Sequence, residues 1–182
     1  MPVVANTFGS TAHISPLLRK TRRLGFVTPD SLLRLAAARG CAHYVPGSAS
    51  TAGEAADPGR AALSDAELGV AMICGAQDYC PQLVRSAAQL LSGPDIDVKT
   101  LVRLARMERC APLLRYIAEH ARQSDEGHEP FWEAVLAGLP RGTAARRGVW
   151  PHSSRFMLQS GYQRGGGVPR PVWLRPGGGK TS

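Results

Sequence analysis

The sequence predicts an all-α protein: a small bundle, or a short solenoid-like stack, of amphipathic helices between flexible basic N- and C-terminal segments. Three observations predict it. Apolar residues recur at helical spacing through residues 63–140, cap and stop residues bracket those runs, and the charge is unevenly divided along the chain.

Residues 1–27 form a basic N-terminal segment whose first fifteen residues have no hydrophobic period and are expected to be disordered. Pro16–Arg23 reads as a short basic helix that Gly25 ends. A helical segment over 28–45 follows: Thr28 caps it, Pro29 fits its first turn, and Gly40 suits a left-handed stop after Leu32, Leu33, Leu35 and Ala36. Residues 46–62 are dominated by Pro, Gly, Ser, Thr and Ala and read as a linker.

The helical core is expected over 63–140. Ser64 with Glu67 makes a capping box for a helix from Asp65 to Ala76. Pro81 opens the next helix, Leu83, Val84, Ala87, Leu90 and Leu91 fall on one face, and Gly93-Pro94 stops it. Asp97 caps a third, with Ile96 and Leu101 spaced as a hydrophobic staple. Pro112 breaks that helix and starts a fourth through Leu113, Leu114, Ile117, Ala118 and Ala121. Pro130 starts a fifth through Phe131, Val135, Leu136 and Leu139. Each is short and amphipathic, so each must bury its stripe against the others.

Two echoes run along the chain. Leu32, Arg34, Leu35, Ala36, Cys41 and Ala42 match Leu101, Arg103, Leu104, Ala105, Cys110 and Ala111 at an offset of sixty-nine, and Cys80, Leu83, Arg85 and Ala88 match Cys110, Leu113, Arg115 and Ala118 at thirty. Both use the chain's commonest residues and read as coincidence between helices of similar composition rather than a repeat array.

Residues 141–182 form a basic tail with nine glycines and four prolines, expected not to fold alone. Phe156-Met157-Leu158 and Val172-Trp173-Leu174 are its candidate extended anchors on the core, because Trp and Phe bury large apolar areas.

A length of 182 residues suits one domain with tails. The net charge of +8 resolves into +4 for residues 1–62, −4 for 63–140 and +8 for 141–182, so the flanks carry the basic character and suit an anionic partner. No run reaches the roughly 18 apolar residues of a membrane span, and the first residues lack a secretory signal; a soluble cytoplasmic protein without membrane contact is the expectation. Arg19, Lys20, Arg22 and Arg23 among leucines, with no acid before Asp30, also match a mitochondrial presequence as the alternative. Cys41, Cys74, Cys80 and Cys110 contain no C-x-x-C pair and read as reduced, packed residues.

No motif specifies chemistry. Gly177-Gly178-Gly179-Lys180-Thr181-Ser182 imitates the end of a phosphate-binding loop, but Leu174 stands where its first glycine belongs and no buried strand precedes it. His13, His43, His120, His128 and His152 are scattered, so neither a metal nor a cofactor is expected. Leu101 to Leu114 resembles a helix of nucleotidyltransferase-like proteins, yet the paired aspartates of that family have no counterpart, and the family is excluded.

The functional expectation is a non-enzymatic helical interaction module: a protein partner on the helical core, and nucleic acid or another acidic partner on the basic flanks. The candidate binding residues are Arg19, Lys20, Arg22, Arg23, Arg146, Arg147, Arg164, Arg170 and Arg175, with Tyr162 and Trp173 available for base stacking. One alternative is an enzyme whose site gathers Cys41, Cys110, His120 and the Arg103, Arg106 and Arg109 face; another is a helix-turn-helix regulator built from Pro16–Arg23 and Thr28–Arg39.

Overall fold

Helix ends fall almost everywhere where the cap and stop residues put them. The structure, a computed structural model, describes residues 15–42, 62–74, 80–141, 157–159 and 171–177. The expected linker therefore lies almost wholly outside the described residues, as do the first fourteen residues and much of the basic tail.

Helix α1 (Pro16–Arg23) starts at Ser15, whose hydroxyl accepts from the Leu18 amide, and buries Leu17, Leu18 and Thr21. Gly25 follows it at φ 87°. Helix α2 (Pro29–Ala38) opens with a reciprocal box between Thr28 and Ser31 and buries Leu32, Leu33, Leu35 and Ala36. Helix α3 (Asp65–Ile73) carries the Ser64–Glu67 box. It differs from the expected amphipathic helix in two ways. Every residue from Leu68 to Ile73 is buried, so α3 is the central helix and has no solvent stripe. It also ends before Ala76, because Cys74 is already extended while still buried; the apolar pattern outlasts the helix.

Helices α4 (Pro81–Leu91), α5 (Val98–Met107), α6 (Ala111–Ser124) and α7 (Glu129–Gly138) complete the helical set among the described residues. α3 packs on α4 and α5 and also touches α1 and α2; α6 pairs with α7, and α7 lies against α5. At the α3–α4 contact a Cβ on Gly69 would stand 2.5 Å from Leu91 Cδ2, so glycine sets the closeness of that pair. The architecture is all-α, and the core is wider than the 63–140 block: Leu17, Phe26, Leu32, Leu35 and Trp173 belong to the same buried cluster as Leu68, Leu101 and Trp132.

The sixty-nine-residue echo has a structural counterpart. α2 and α5 both have ten residues, begin at a side-chain cap (Thr28, Asp97) and end in the same stop. In that stop the Cys41 amide donates to the Ala36 carbonyl and the Cys110 amide to Ala105, each 3.0 Å, while Gly40 and Arg109 take the left-handed position at φ 88° and 56°. Arg109 is the one non-glycine residue with positive φ among the described residues. The shared stop explains why both cysteines are buried: each is the first residue past the left-handed turn, folded back onto its own helix.

Part of the tail is tied down. Strands β1 (Met157–Gln159) and β2 (Pro171–Trp173) pair antiparallel, Met157 opposite Trp173 and Leu158 opposite Val172, so the two candidate anchors pair with each other. Trp173 is 5% exposed and meets Trp132 edge to face at 6.1 Å. Beyond it the chain is held by backbone acceptors: Ser92 Oγ donates to the Leu174 carbonyl (3.2 Å), Gln89 Nε2 to that of Arg175 (3.1 Å), and the Gly177 amide to that of Gly40 (3.3 Å). Val172-Trp173-Leu174 thus docks on the helical core through Trp173, as the candidate anchor was expected to, and hydrogen bonds extend the attachment to Gly177.

Candidate functional site

The charged residues sort into those committed to the fold and those left facing solvent. Asp125, at the α6 C-terminus and 2% exposed, collects the first kind. Its Oδ2 accepts from Trp132 Nε1 at 2.8 Å and lies 3.2 Å from His128 Nδ1, and its Oδ1 accepts from Arg175 Nε at 2.8 Å. Arg175 Nη2 also donates to the Glu126 carbonyl at 2.8 Å. A buried carboxylate is tolerated when compensated by a cation and saturated with donors, and Asp125 has both. Arg175, expected to bind an acidic partner, is paired with the chain's own Asp125.

Glu108 is a second buried acid, 4% exposed. Its Oε1 accepts from the Leu17 amide at 3.2 Å, so a carboxylate from the α5–α6 turn closes the N-terminus of α1 across the fold. The apolar face of α1 and this distant cap make the helix integral to the folded core, an arrangement that a removable presequence does not need.

Of the expected basic residues, Arg19, Lys20, Arg22 and Arg23 are exposed on α1. Lys20 bonds both carboxylate oxygens of Glu67 at 2.7 and 2.8 Å. Burial works to raise the Glu67 carboxyl, but the Lys20 ammonium and the Ser64 amide outweigh it and hold the group below its ordinary value. Arg19, Arg22 and Arg23 make no ion pair among the described residues, and Arg19 and Arg23 flank a shallow groove of about 390 Å³ with Pro16 and Leu24. Arg146, Arg147, Arg164 and Arg170 lie outside the described residues.

A larger groove, about 490 Å³, runs between α5 and α7; Arg103 and Arg106 beside it were expected only as part of the enzyme alternative's arginine face, and the groove itself was not expected. Val98, Val102, Met107, Ala134 and Gly138 form its floor, and Lys99, Arg103 and Arg106 stand beside them. All three cations are exposed, and none pairs with an acid among the described residues. Arg106 Nη2 donates to the Gly138 carbonyl at 2.6 Å, which positions the guanidinium without neutralising it. The sequence signal was the composition of α5: basic residues at positions 99, 103 and 106, and no acid in the helix.

The candidate catalytic residues do not converge. Cys41 lies against α4, its thiol directed to the Ser86 carbonyl, and burial, with Asp65 nearby, pushes it up to about 12. Cys110 is raised by burial too, beside Cys74 and Glu108. His120 sits edge to face on Tyr116 at 4.5 Å, and neither groove includes it or either thiol. Such thiols are held in the protonated, unreactive form. Among the described residues no three His, Cys, Asp or Glu side chains are gathered as a metal site, and no helix is long and apolar enough to cross a membrane.

On the proposed reading helix of a helix-turn-helix, α2, Arg34 pairs with Asp30 and Arg39 with Asp65. The first pair lies on the exposed surface of α2, and the second joins α2 to the start of α3. No family model, curated protein or solved structure matches the chain.

Proposed function

We propose that the protein is a non-enzymatic helical binding module that recognises an acidic partner. One observation carries the reading: two helices, α1 and α5, present exposed cations that make no ion pair among the described residues, namely Arg19, Arg22 and Arg23 on the first and Lys99, Arg103 and Arg106 on the second. Like charges three and four residues apart on a helix cost stability, about 0.2–0.5 kcal/mol per pair. A helix that stacks Lys99, Arg103 and Arg106 in that way carries a cost that a bound acidic partner offsets. The raised, buried thiols weigh against the enzyme alternative, and four free cysteines suit a reducing, cytoplasmic setting.

The test is a titration of the full chain with poly-glutamate and, separately, with mixed-sequence single-stranded RNA over a series of salt concentrations. Binding should weaken steeply with salt; about five contacts to a single strand correspond to a log–log slope near −3.5. Absence of binding to both polyanions at low salt would overturn the reading.

A further inference from the structure

The groove between α5 and α7 combines two features that a merely solvated helix face does not need. Its floor is apolar and open: Met107 is 53% exposed, Ala134 is exposed, and Val98 and Val102 are half-buried. Its rim is a row of cations on α5. Gly138 brings α7 close enough to close the floor, since a Cβ there would stand 2.9 Å from Val102 Cγ2. Arg106 then reaches over that glycine to its carbonyl and fixes one end of the row.

Resting on the binding-module reading, we infer that this groove is the docking site for an acidic amphipathic helix of a partner protein. Charge complementarity selects the occupant. Lys99, Arg103 and Arg106 stand at i, i+4 and i+7 and span about 10 Å at 1.5 Å per residue. Glutamates at the same spacing on a partner helix run along that row, while its apolar stripe covers Met107, Ala134 and the two valines. Nucleic acid fits less well. Among the described residues no aromatic ring lines the groove, so bases have no stacking platform there, and an apolar floor adds nothing to phosphate attraction.

The experiment uses the full chain and two fluorescent peptides of identical composition: one with leucines on one helical face flanked by glutamates, the other scrambled. The ordered peptide should bind at least about ten-fold more tightly than the scrambled one. Ala134→Lys is the decisive variant, because it fills the floor while adding a cation. It should weaken the ordered peptide about ten-fold and leave poly-glutamate binding unchanged or stronger. Lys99→Glu with Arg103→Glu should abolish peptide binding, whereas Arg19→Glu with Arg23→Glu should not. All these positions are exposed, and thermal unfolding of each variant verifies that it folds.

Equal binding of the two peptides, tighter peptide binding by Ala134→Lys, displacement of the ordered peptide by single-stranded RNA at equal charge, or dimerisation of the chain that the peptide does not disturb would each overturn the inference. Poly-glutamate binding that responds only to the Arg19 and Arg23 variants would leave the module standing and remove the groove. Loss of all polyanion binding would remove both.

Discussion

Arg175 Nε donates to Asp125 Oδ1 at 2.8 Å, and that bond fastens the segment after β2 to the turn between α6 and α7. The cation comes from a part of the chain whose composition reads as a solvated tail, and the anion is buried. Their meeting decides how much of the basic surface remains for a partner.

Removing the carboxylate tests the clasp. Asp125→Ala leaves Trp132 Nε1 without its acceptor while the part-exposed Arg175 regains water, and an unsatisfied buried donor costs about 1–3 kcal/mol. Arg175→Ala should cost at least as much, up to about 3–5 kcal/mol, because it leaves the buried Asp125 carboxylate without its cation. Urea unfolding followed by tryptophan fluorescence measures both, and an Asp125→Ala protein as stable as wild type would show that the clasp does not form.

The paired stops of α2 and α5 give predictions of opposite sign. Gly40→Ala forces a side chain into the left-handed region, about 1–2 kcal/mol, and places its Cβ 2.5 Å from the Gly177 amide nitrogen, so it should destabilise by more than strain alone. Arg109→Gly relieves the same backbone position and should stabilise by up to about 1 kcal/mol. Unfolding midpoints shifting in the same direction would contradict the shared stop.

The echo between those two helices shows what was readable in the sequence. Thr28 and Asp97 as caps, Pro29, Pro81 and Pro130 in first turns and Gly40 as a stop are local signals, and the helices begin and end on them. The left-handed Arg109 could have been found only by laying the α5 segment over Gly40 at the sixty-nine-residue offset. What depends on distant partners was not readable. Glu108 looks like any acid after a helix, yet it caps α1. Trp173 was readable as an anchor on the core, but nothing local announces that Trp132 is its partner, and Cys74 continues an apolar pattern after the helix has ended. The α5–α7 groove needed the packing itself, because Ala134 and Gly138 form a floor only once α7 lies against Val102.

Thiol accessibility separates a packed core from a catalytic site. In the native protein iodoacetamide should modify half-buried Cys80 first and leave Cys41, Cys74 and Cys110 intact until the chain is unfolded. Peptide mapping after brief labelling checks the order. Rapid modification of Cys41 or Cys110 at neutral pH would favour the enzyme reading.

Acid should loosen the helix starts. The carboxyls of Glu67, Asp97 and Glu129 are held below their ordinary values, the first by Lys20 and Ser64 against the opposing effect of burial, the second by the Thr100 amide, the third by backbone amides at the start of α7. A depressed folded-state value stabilises the fold fully above the unfolded value, 4.5 for the Glu67 carboxyl, and that stability is lost as pH falls through the lower folded value. Thermal midpoints should therefore be level from pH 7 to about 5 and decline below about 4.5. A midpoint that rises on acidification would contradict these caps.

Recognition through α5 is tested most directly by mapping amide chemical shifts of the isotope-labelled full chain during titration with the ordered acidic peptide. The account predicts changes concentrated on Val98–Met107 and on the Ala134–Gly138 end of α7, with α1 little affected. Changes confined to α1, or none at saturating peptide, would contradict it.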